Sequence, residues 1–255
     1  MNIKTIKYLS IISLILLVTS CASPKKMIYF QDLEGAEIEE TIVNFEPKIQ
    51  IGDILTINVS AIDAEAAIPF NLYETPMIGS ATSNAKPLTY LVNTEGEINF
   101  PVLGKIKAEG FTMNEITNNL SVKLAAYIKD PIVNIRLTNF KITVLGEVKA
   151  PGAYAVPNER ISIIEAIGLA GDLTIQGKRK SVLLVREQNG KRVFVTMDLT
   201  NKALFNSPYY YLAQNDVIYV EPNKTKLNSS VVGSNTGVIL SSISILITLV
   251  TLLTR

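Results

Sequence analysis

The side chains that could do chemistry in this chain are few, and their types restrict what that chemistry is. The sequence contains no His and no Trp, and its one Cys is Cys21. This composition excludes disulfides within the chain, zinc sites that need His or several Cys, and catalytic triads or dyads with a His base. Glu95 and Glu97 flank Gly96 and are a candidate acid pair for glycoside cleavage, which depends on the separation of two carboxylates. We find no other constellation that supports a reaction, and we expect no enzyme activity, no metal and no cofactor.

Two charged stretches are candidates for binding. Lys178-Arg179-Lys180 is a compact cationic run between a predicted helix and the next strand. It is either a solvated turn or a contact for an anionic partner such as a sugar acid or a lipid headgroup. The acid-rich stretch 32–40 is either a solvated tether or an acidic binding strip. The net charge of +1 gives no bulk field that would indicate a nucleic-acid partner.

The amino-terminal segment has the pattern of a secretory signal. Lysines precede the apolar run Ile11–Val18, which is too short to cross about 30 Å of hydrocarbon as a helix. Cys21 follows directly after Val18-Thr19-Ser20, and this pattern looks like a bacterial lipobox, in which the Cys is lipidated and becomes the first mature residue. We therefore predict a lipoprotein signal peptide over residues 1–20 and lipidation of Cys21. The alternative is a plain secretory signal with an incidental Cys.

The carboxyl-terminal tail carries no charged residue over positions 227–254. At about 100° per residue, its polar side chains fall on a narrow stripe of a helix, made of Ser241, Ser244, Thr248 and Thr251. One interpretation is a transmembrane helix that oligomerises and lines a pore with this stripe. A second is a single-pass anchor whose Ser and Thr side chains bond back to their own helix. A third is a β-strand, because Ser and Ile alternate in part of the tail.

Between the ends, the sequence predicts two small α/β units. In the first unit, which Pro47 opens, Thr112-x-x-Glu115 is a capping box that begins a helix. Apolar residues follow at helical spacing and should face the core: Met113, Ile116, Leu120, Leu124 and Tyr127. Strands are predicted at Ile54–Val59, at Ile132–Leu137 and, as a hairpin around Glu95-Gly96, at Leu88–Val92 and Glu97–Val102. Residues 61–87 are predicted to form a long excursion.

The second unit combines a short helix with several strands. Ser162-x-x-Glu165 is another capping box and opens a helix that ends at Gly171. Strands are predicted at Lys141–Val148, Val182–Arg186, Arg192–Met197 and Val217–Glu221. The glycines of the unit lack the strand-to-helix placement of a nucleotide-binding loop.

The motifs of the two units are specific in their order and spacing. The first unit contains Gly52-Asp53, Tyr90-x-Val92, Gly96-x-Ile98-x-x-Pro101-x-x-Gly104, Gly110-x-Thr112 and Pro131-x-Val133. The second contains Val144-x-Gly146-x-Val148-x-x-Pro151-Gly152-x-Tyr154, Glu165-Ala166-Ile167-x-x-Ala170-Gly171, Arg186, Asp198-Leu199 and Asn215-Asp216-x-Ile218-x-Val220. Together they resemble the polysaccharide export domain and the β-grasp soluble-ligand-binding domain of outer-membrane capsule and exopolysaccharide export lipoproteins. Two positions depart from that family: Asp172 replaces a second Gly, and Asn215 stands where Gly often precedes the Asp.

The resemblance implies a ring-shaped homo-oligomer that exports capsular or extracellular polysaccharide across the outer membrane. The folded units would lie in the periplasm, the carboxyl-terminal helices would form the pore, and an inner-membrane polysaccharide copolymerase, a chain-length regulator, would deliver the polymer. The alternative is a non-channel lipoprotein that binds periplasmic glycan and uses its tail as an anchor. The predicted fold class is α+β, two small α/β units followed by a transmembrane helix. Its parts are the signal peptide (1–20), the lipidated tether (21–46), the export domain (47–139), the β-grasp domain (140–222) and the linker with the helix (223–255).

Overall fold

The computed structural model describes residues 27–32, 45–73, 87–188, 190–232 and 236–253. The predicted signal peptide and Cys21 lie outside the described residues, and the excursion predicted over 61–87 is described only at its two ends. Buried apolar side chains from both units join in one hydrophobic core.

The first unit is built on a three-stranded antiparallel sheet in the order β2-β1-β5. Its elements are β1 (Ile54–Ser60), α1 (Ala64–Ala67), a 3₁₀ turn (Ile68–Phe70), β2 (Thr89–Leu91), β3 (Glu97–Phe100), β4 (Gly104–Lys107), α2 (Met113–Leu124) and β5 (Ile132–Leu137). In β1, Leu55, Ile57 and Val59 are buried while their neighbours are more exposed, the period-two pattern of a strand with one face on a core.

Helix α2 begins at the predicted capping box. The Thr112 hydroxyl accepts from the Glu115 N–H at 3.2 Å, and the Glu115 carboxylate accepts from the Thr112 N–H at 2.8 Å. Ile116, Leu120 and Leu124 are fully buried, as their spacing predicts. The core position predicted for Tyr127 is wrong, because α2 ends at Leu124 and the Tyr127 side chain is 58% exposed.

The predicted hairpin around Gly96 is wrong in its pairing. Strand β2 pairs with β1, where Tyr90 lies opposite Leu55. Strand β3 pairs with β4 instead, and together they form a separate two-stranded sheet. A turn does exist at Gly96, whose N–H donates to the Asn93 carbonyl at 2.9 Å. The turn of the β3–β4 hairpin lies later in the chain. It runs from Pro101, which follows β3, to Gly104, which begins β4 and has a φ of +73°.

The second unit contains a five-stranded mixed sheet in the order β7-β6-β10-β8-β9. Its elements are β6 (Lys141–Gly146), β7 (Gly152–Ala155), α3 (Ile163–Leu169), β8 (Gly177–Gln188), β9 (Lys191–Met197), a 3₁₀ turn (Lys202–Asn206) and β10 (Val217–Pro222). Strand β10 returns to the middle of the sheet, parallel to β6 and antiparallel to β8. Helix α3 begins at the predicted Ser162–Glu165 capping box and ends two residues before Gly171.

Residues 27–32 of the predicted tether are docked on the second unit. The Gln31 N–H donates to the Thr200 carbonyl at 2.8 Å. The Tyr29 hydroxyl donates to the Asp172 carboxylate at 2.5 Å, and Asp172 has a left-handed φ of +74°. The solvated tether predicted for this stretch is therefore wrong over these six residues, because the segment makes both backbone and side-chain contacts with the folded unit.

Asn139 joins the two units. Its side-chain oxygen accepts from the Ile54 N–H at 2.9 Å and its side-chain nitrogen donates to the Gly52 carbonyl at 3.1 Å. Its own carbonyl accepts from the Gln214 amide at 2.8 Å, while the Gln214 oxygen accepts from the Lys141 N–H at 2.7 Å. Because these amides satisfy backbone groups of both units, they fix the connection between β5 and β6.

The predicted transmembrane helix is wrong. After α4 (Lys224–Val232), the tail forms α5 (Thr236–Leu253), a helix of 18 residues. At 1.5 Å per residue it is about 27 Å long, less than the roughly 30 Å of a hydrocarbon core, and Ser and Thr interrupt its apolar side chains. Within the described ranges, no helix has both the length and the apolar character needed to cross a membrane.

Candidate functional site

A cleft of about 940 Å³ lies between the two units and is the candidate functional site. Its first wall is the segment that leads into β1, residues 45, 46 and 48–51, together with Glu109 and Gly110. Its second wall is the end of the β8–β9 hairpin, residues 186–188 and 190–192, with Ala213. This volume lies in the upper part of the range that ligand pockets occupy.

Charged and amide side chains of both walls face the cleft: Glu46, Lys48, Gln50, Glu109, Arg186, Glu187, Gln188, Lys191 and Arg192. Several of the charges are already paired. Arg192 lies 2.6 Å from Glu187 across the hairpin, and Glu109 lies 2.8 Å from Lys107. The mixture of donors and acceptors suits a polar ligand more than an apolar one.

A buried ion pair fixes the second wall. Nη2 of Arg186 lies 2.6 Å from Oδ2 of Asp216, and Nε lies 3.0 Å from Oδ1. Nη2 also donates to the Tyr211 carbonyl at 2.9 Å, and the Ala213 N–H donates to Asp216 at 2.8 Å. Burial raises the pKa of the Asp216 carboxyl, while Arg186 and the Ala213 N–H act against that rise. The fork-shaped pair connects β8 to the residues that precede β10 and so holds the wall in place.

An aromatic stack lies at Phe45, which lines the cleft. The Phe45 ring stacks on Tyr211 with 5.8 Å between centroids and 20° between planes. The Arg160 guanidinium lies 4.1 Å from the centroid of the Tyr211 ring and also donates to the Tyr211 hydroxyl. Phe45 belongs to the first wall and Tyr211 to the second unit, so this stack connects the first wall to the second unit.

The turn at Gly52-Asp53 holds the first wall. Oδ2 of Asp53 accepts from the Gln50 N–H at 2.8 Å, and Oδ1 is buried without a hydrogen-bond partner among the described residues. Burial raises the pKa of Asp53 to about 6, and the Gln50 N–H acts against this rise. The Gly52 N–H donates to the Val92 carbonyl at 2.9 Å. Asp53 therefore shapes the backbone of the wall.

The remaining family-motif residues form turns and close approaches at separate places in the fold. Gly96, Gly104, Gly146 and Gly171 all have positive φ. Pro101 lies between β3 and β4, Pro151-Gly152 leads into β7, and the Tyr154 hydroxyl donates to the Ala150 carbonyl. Of the motif residues, Asp53 and Asp216 lie directly behind the walls of the cleft.

The candidate acid pair lies outside the cleft. Glu97 forms an ion pair with Lys105 at 3.5 Å across the β3–β4 hairpin. Glu95 accepts a hydrogen bond from the hydroxyl of its neighbour Thr94 at 3.1 Å. Neither carboxylate lines the cleft between the units, so these contacts indicate a structural role in the turn.

The cationic run 178–180 lies in strand β8, so its prediction as a turn is wrong. Lys178 forms an ion pair with Glu221 of the neighbouring β10 at 2.7 Å. Arg179 is 6% exposed, and Nη1 donates to the carbonyls of Thr174 and Gly177. Alternation along the strand sends these cations to opposite faces, which a count of charges in sequence does not show.

The polar stripe of the tail bonds to its own helix. The hydroxyls of Ser241, Thr248 and Thr251 donate to the carbonyls of Gly237, Ser244 and Ile247. Such bonds to the preceding turn satisfy the hydroxyls without a partner helix. The pore-lining role predicted for these residues and Ser244 depended on a transmembrane helix, and the structure gives it no support.

Of the residues that line the cleft, the sequence motifs contain Gly110 and Arg186, and sequence reasoning missed the others. Phe45 and Lys48 lie more than 130 positions before Glu187, Lys191 and Arg192, so no local motif connects them. The signal that was available is the alternation of β9, which places Lys191 and Arg192 at the start of a strand near a turn. That alternation does not reveal which segment lies opposite.

Family models match consecutive parts of the chain. The model described as polysaccharide biosynthesis/export protein matches residues 43–138, and the SLBB domain model matches residues 141–196. The chain therefore carries a polysaccharide biosynthesis/export domain followed by an SLBB domain. The gap between the two matches contains Asn139, the residue that joins the units. The resemblance predicted from the motifs is confirmed.

Curated relatives of this chain carry names that agree with the match to the polysaccharide biosynthesis/export model. The chain is 30% identical over 203 residues to the EPS I polysaccharide export outer membrane protein EpsA of Ralstonia solanacearum, an alignment that covers 75% of this chain and 52% of the relative. It is 31% identical over 199 residues to the protein of the same name in Ralstonia nicotianae, covering 74% of this chain and 51% of the relative. The chain therefore spans about half the length of the curated relatives it matches.

Proposed function

We propose that this chain exports a capsular or extracellular polysaccharide across the outer membrane. The observation that carries the proposal is the order of the two matched domains, 43–138 and then 141–196, in a chain about 30% identical to proteins named for polysaccharide export. The shared core and the Asn139 joint support a single rigid subunit, as expected of a part that guides a polymer rather than transforms it.

We further propose that Cys21 is lipidated and holds the subunit at the outer membrane, with the folded units in the periplasm. The Cys lies eight positions before Tyr29 (29 − 21 = 8), which is docked on the second unit. Eight residues span at most about 28 Å. A lipidated Cys21 would thus keep the second unit within that distance of the lipid surface.

The proposed assembly is a ring of identical subunits that receives polymer from an inner-membrane copolymerase. Exposed apolar side chains along α5 support association with other chains: Leu240, Ile245, Leu246 and Leu252 are each more than 60% exposed. Contiguous apolar surface of this kind marks interaction sites. The non-channel alternative, a subunit that only binds periplasmic glycan, predicts binding without export.

The test is deletion and complementation. Deleting the gene should remove polysaccharide from the cell surface and the medium while synthesis continues, and the full chain should restore it. Gly152→Ala, where a Cβ would meet nothing within 4 Å, should restore export, and Gly146→Ala, where a Cβ would strike the Val220 carbonyl, should not. Normal surface polysaccharide in the deletion strain would contradict the proposal.

A further inference from the structure

Two lysines in the cleft remain without a charged partner. Lys48 on the first wall and Lys191 on the second form no ion pair with any described residue. Both side chains belong to exposed residues. Glu46, the remaining acid without an ion pair, accepts instead from the Asn114 amide at 3.0 Å. The charges of the lining without an ionic partner are therefore two ammonium groups, one on each side of the opening, and the Glu46 carboxylate, which together leave an excess of positive charge.

The rest of the lining suits a carbohydrate. Gln50 and Gln188 each offer a donor and an acceptor, which sugar hydroxyls can satisfy in either direction. The Phe45 ring, held by its stack on Tyr211, presents an apolar surface of the kind that contacts the C–H face of a sugar ring. The cleft is open between its two walls, and its volume of about 940 Å³ has room for a short run of sugars rather than one.

We infer that this cleft binds a carboxylate-bearing stretch of the exported glycan, with Lys48 and Lys191 as the cations that select acidic sugars. The inference rests on the proposed function and adds a ligand class and a place to it. Cations on two opposed walls favour a polyanion that carries a carboxylate on successive sugars, because each wall can then contact a different sugar. The paired Arg186, Arg192 and Glu109 keep the walls in position and leave the selection to the two lysines.

The experiment measures glycan affinity on the full chain in detergent by calorimetry. The probes are hexagalacturonate, which carries carboxylates, and maltohexaose, a neutral hexasaccharide. Hexagalacturonate should bind and maltohexaose should bind at least about tenfold more weakly. The double variant Lys48→Ala/Lys191→Ala should lose about tenfold in affinity for hexagalacturonate, since exposed ionic contacts each contribute a few-fold. Lys123→Ala/Lys129→Ala removes the same charge outside the cleft and should change the affinity less than about twofold.

Three results would overturn the inference. Equal losses in the two double variants would mean that net charge, not the cleft, attracts the glycan. Equal affinity for both probes would remove the selection for carboxylates. A change in the size of the assembly of the Lys48→Ala/Lys191→Ala protein, with unaltered glycan affinity, would assign the cleft to contact between copies. The deletion experiment separates the two proposals. If the lysines bind glycan but deletion of the gene leaves export intact, the proposed function is contradicted and this inference is not.

Discussion

At the scale of single residues, the Arg186–Asp216 pair is the most buried ion pair among the described residues. Asp216 is fully buried and Arg186 is 7% exposed, and Asp216→Ala would leave the guanidinium buried without its partner. We expect the free energy of unfolding to fall by about 3–5 kcal/mol, measured by urea denaturation followed by circular dichroism. Glu187→Ala, which breaks the exposed pair with Arg192, should cost less than about 1 kcal/mol. Similar losses in both variants would contradict this account of the pair.

Asp53 should make the stability depend on pH in an unusual direction for a carboxylate. Burial raises its pKa from 3.8 to about 6 in the folded protein, so the folded chain binds the proton more tightly than the unfolded chain. Its contribution to stability is full below about pH 4, is lost as the pH rises to about 6, and stays absent above that. The change amounts to at most about 3 kcal/mol.

Asp53→Asn tests this dependence because it keeps an acceptor for the Gln50 N–H and removes the titration. The free energy of unfolding of the variant, measured by urea denaturation between pH 4 and 7, should lack the decline that the unaltered chain shows. A decline of the same size in both proteins would assign it to other groups.

At the scale of elements, the parallel pairing of β6 with β10 requires a glycine at position 146. Gly146 has a φ of +90°, and a Cβ there would collide with the backbone carbonyl of Val220. We expect Gly146→Ala to lower the free energy of unfolding by roughly 2–4 kcal/mol, well beyond the ordinary glycine effect. Gly152→Ala, on the neighbouring β7 with open space around the new Cβ, should change stability by less than about 1 kcal/mol. Equal melting temperatures of the two variants would refute the close approach.

The docked segment 27–32 should depend on the Tyr29–Asp172 hydrogen bond. Tyr29→Phe removes a hydroxyl that donates to a carboxylate, a contact of the kind that contributes about 1.5–3 kcal/mol. Hydrogen exchange of the Gln31 amide, which is bonded to the Thr200 carbonyl, should speed up by about tenfold or more. Tyr127→Phe, at an exposed tyrosine, should leave that exchange unchanged. No acceleration in Tyr29→Phe would mean that the backbone contacts alone hold the segment.

Elements with strong local signals were predictable from the sequence. Both capping boxes lie at the helix starts that their residues indicate, and β5 has the predicted bounds Ile132–Leu137. The hairpin around Gly96 failed because a turn signal fixes where the chain reverses and not which strand each neighbour joins. The burial of Arg179 could not be predicted for a similar reason, since it follows from the tertiary contacts of β8 and not from the charge of the residue.

At the scale of the whole molecule, the cleft is a consequence of how the two units are joined. Asn139 and Gln214 connect them through side-chain amides, and the cleft opens between Lys48 on one side and Lys191 on the other. The sequence identified both units and their family through short motifs, each within one unit. It did not indicate the cleft, because the walls come from segments far apart in the chain and meet only after both units have folded.

Following newly made polysaccharide between compartments tests the proposed export most directly. Cells depleted of this chain are given a pulse of labelled sugar, and labelled polymer is measured in the periplasm, on the cell surface and in the medium. Export by this chain predicts that labelled polymer stops inside the outer membrane and reaches the surface again when the chain is restored. Labelled polymer arriving at the surface at the normal rate in depleted cells would contradict the central claim.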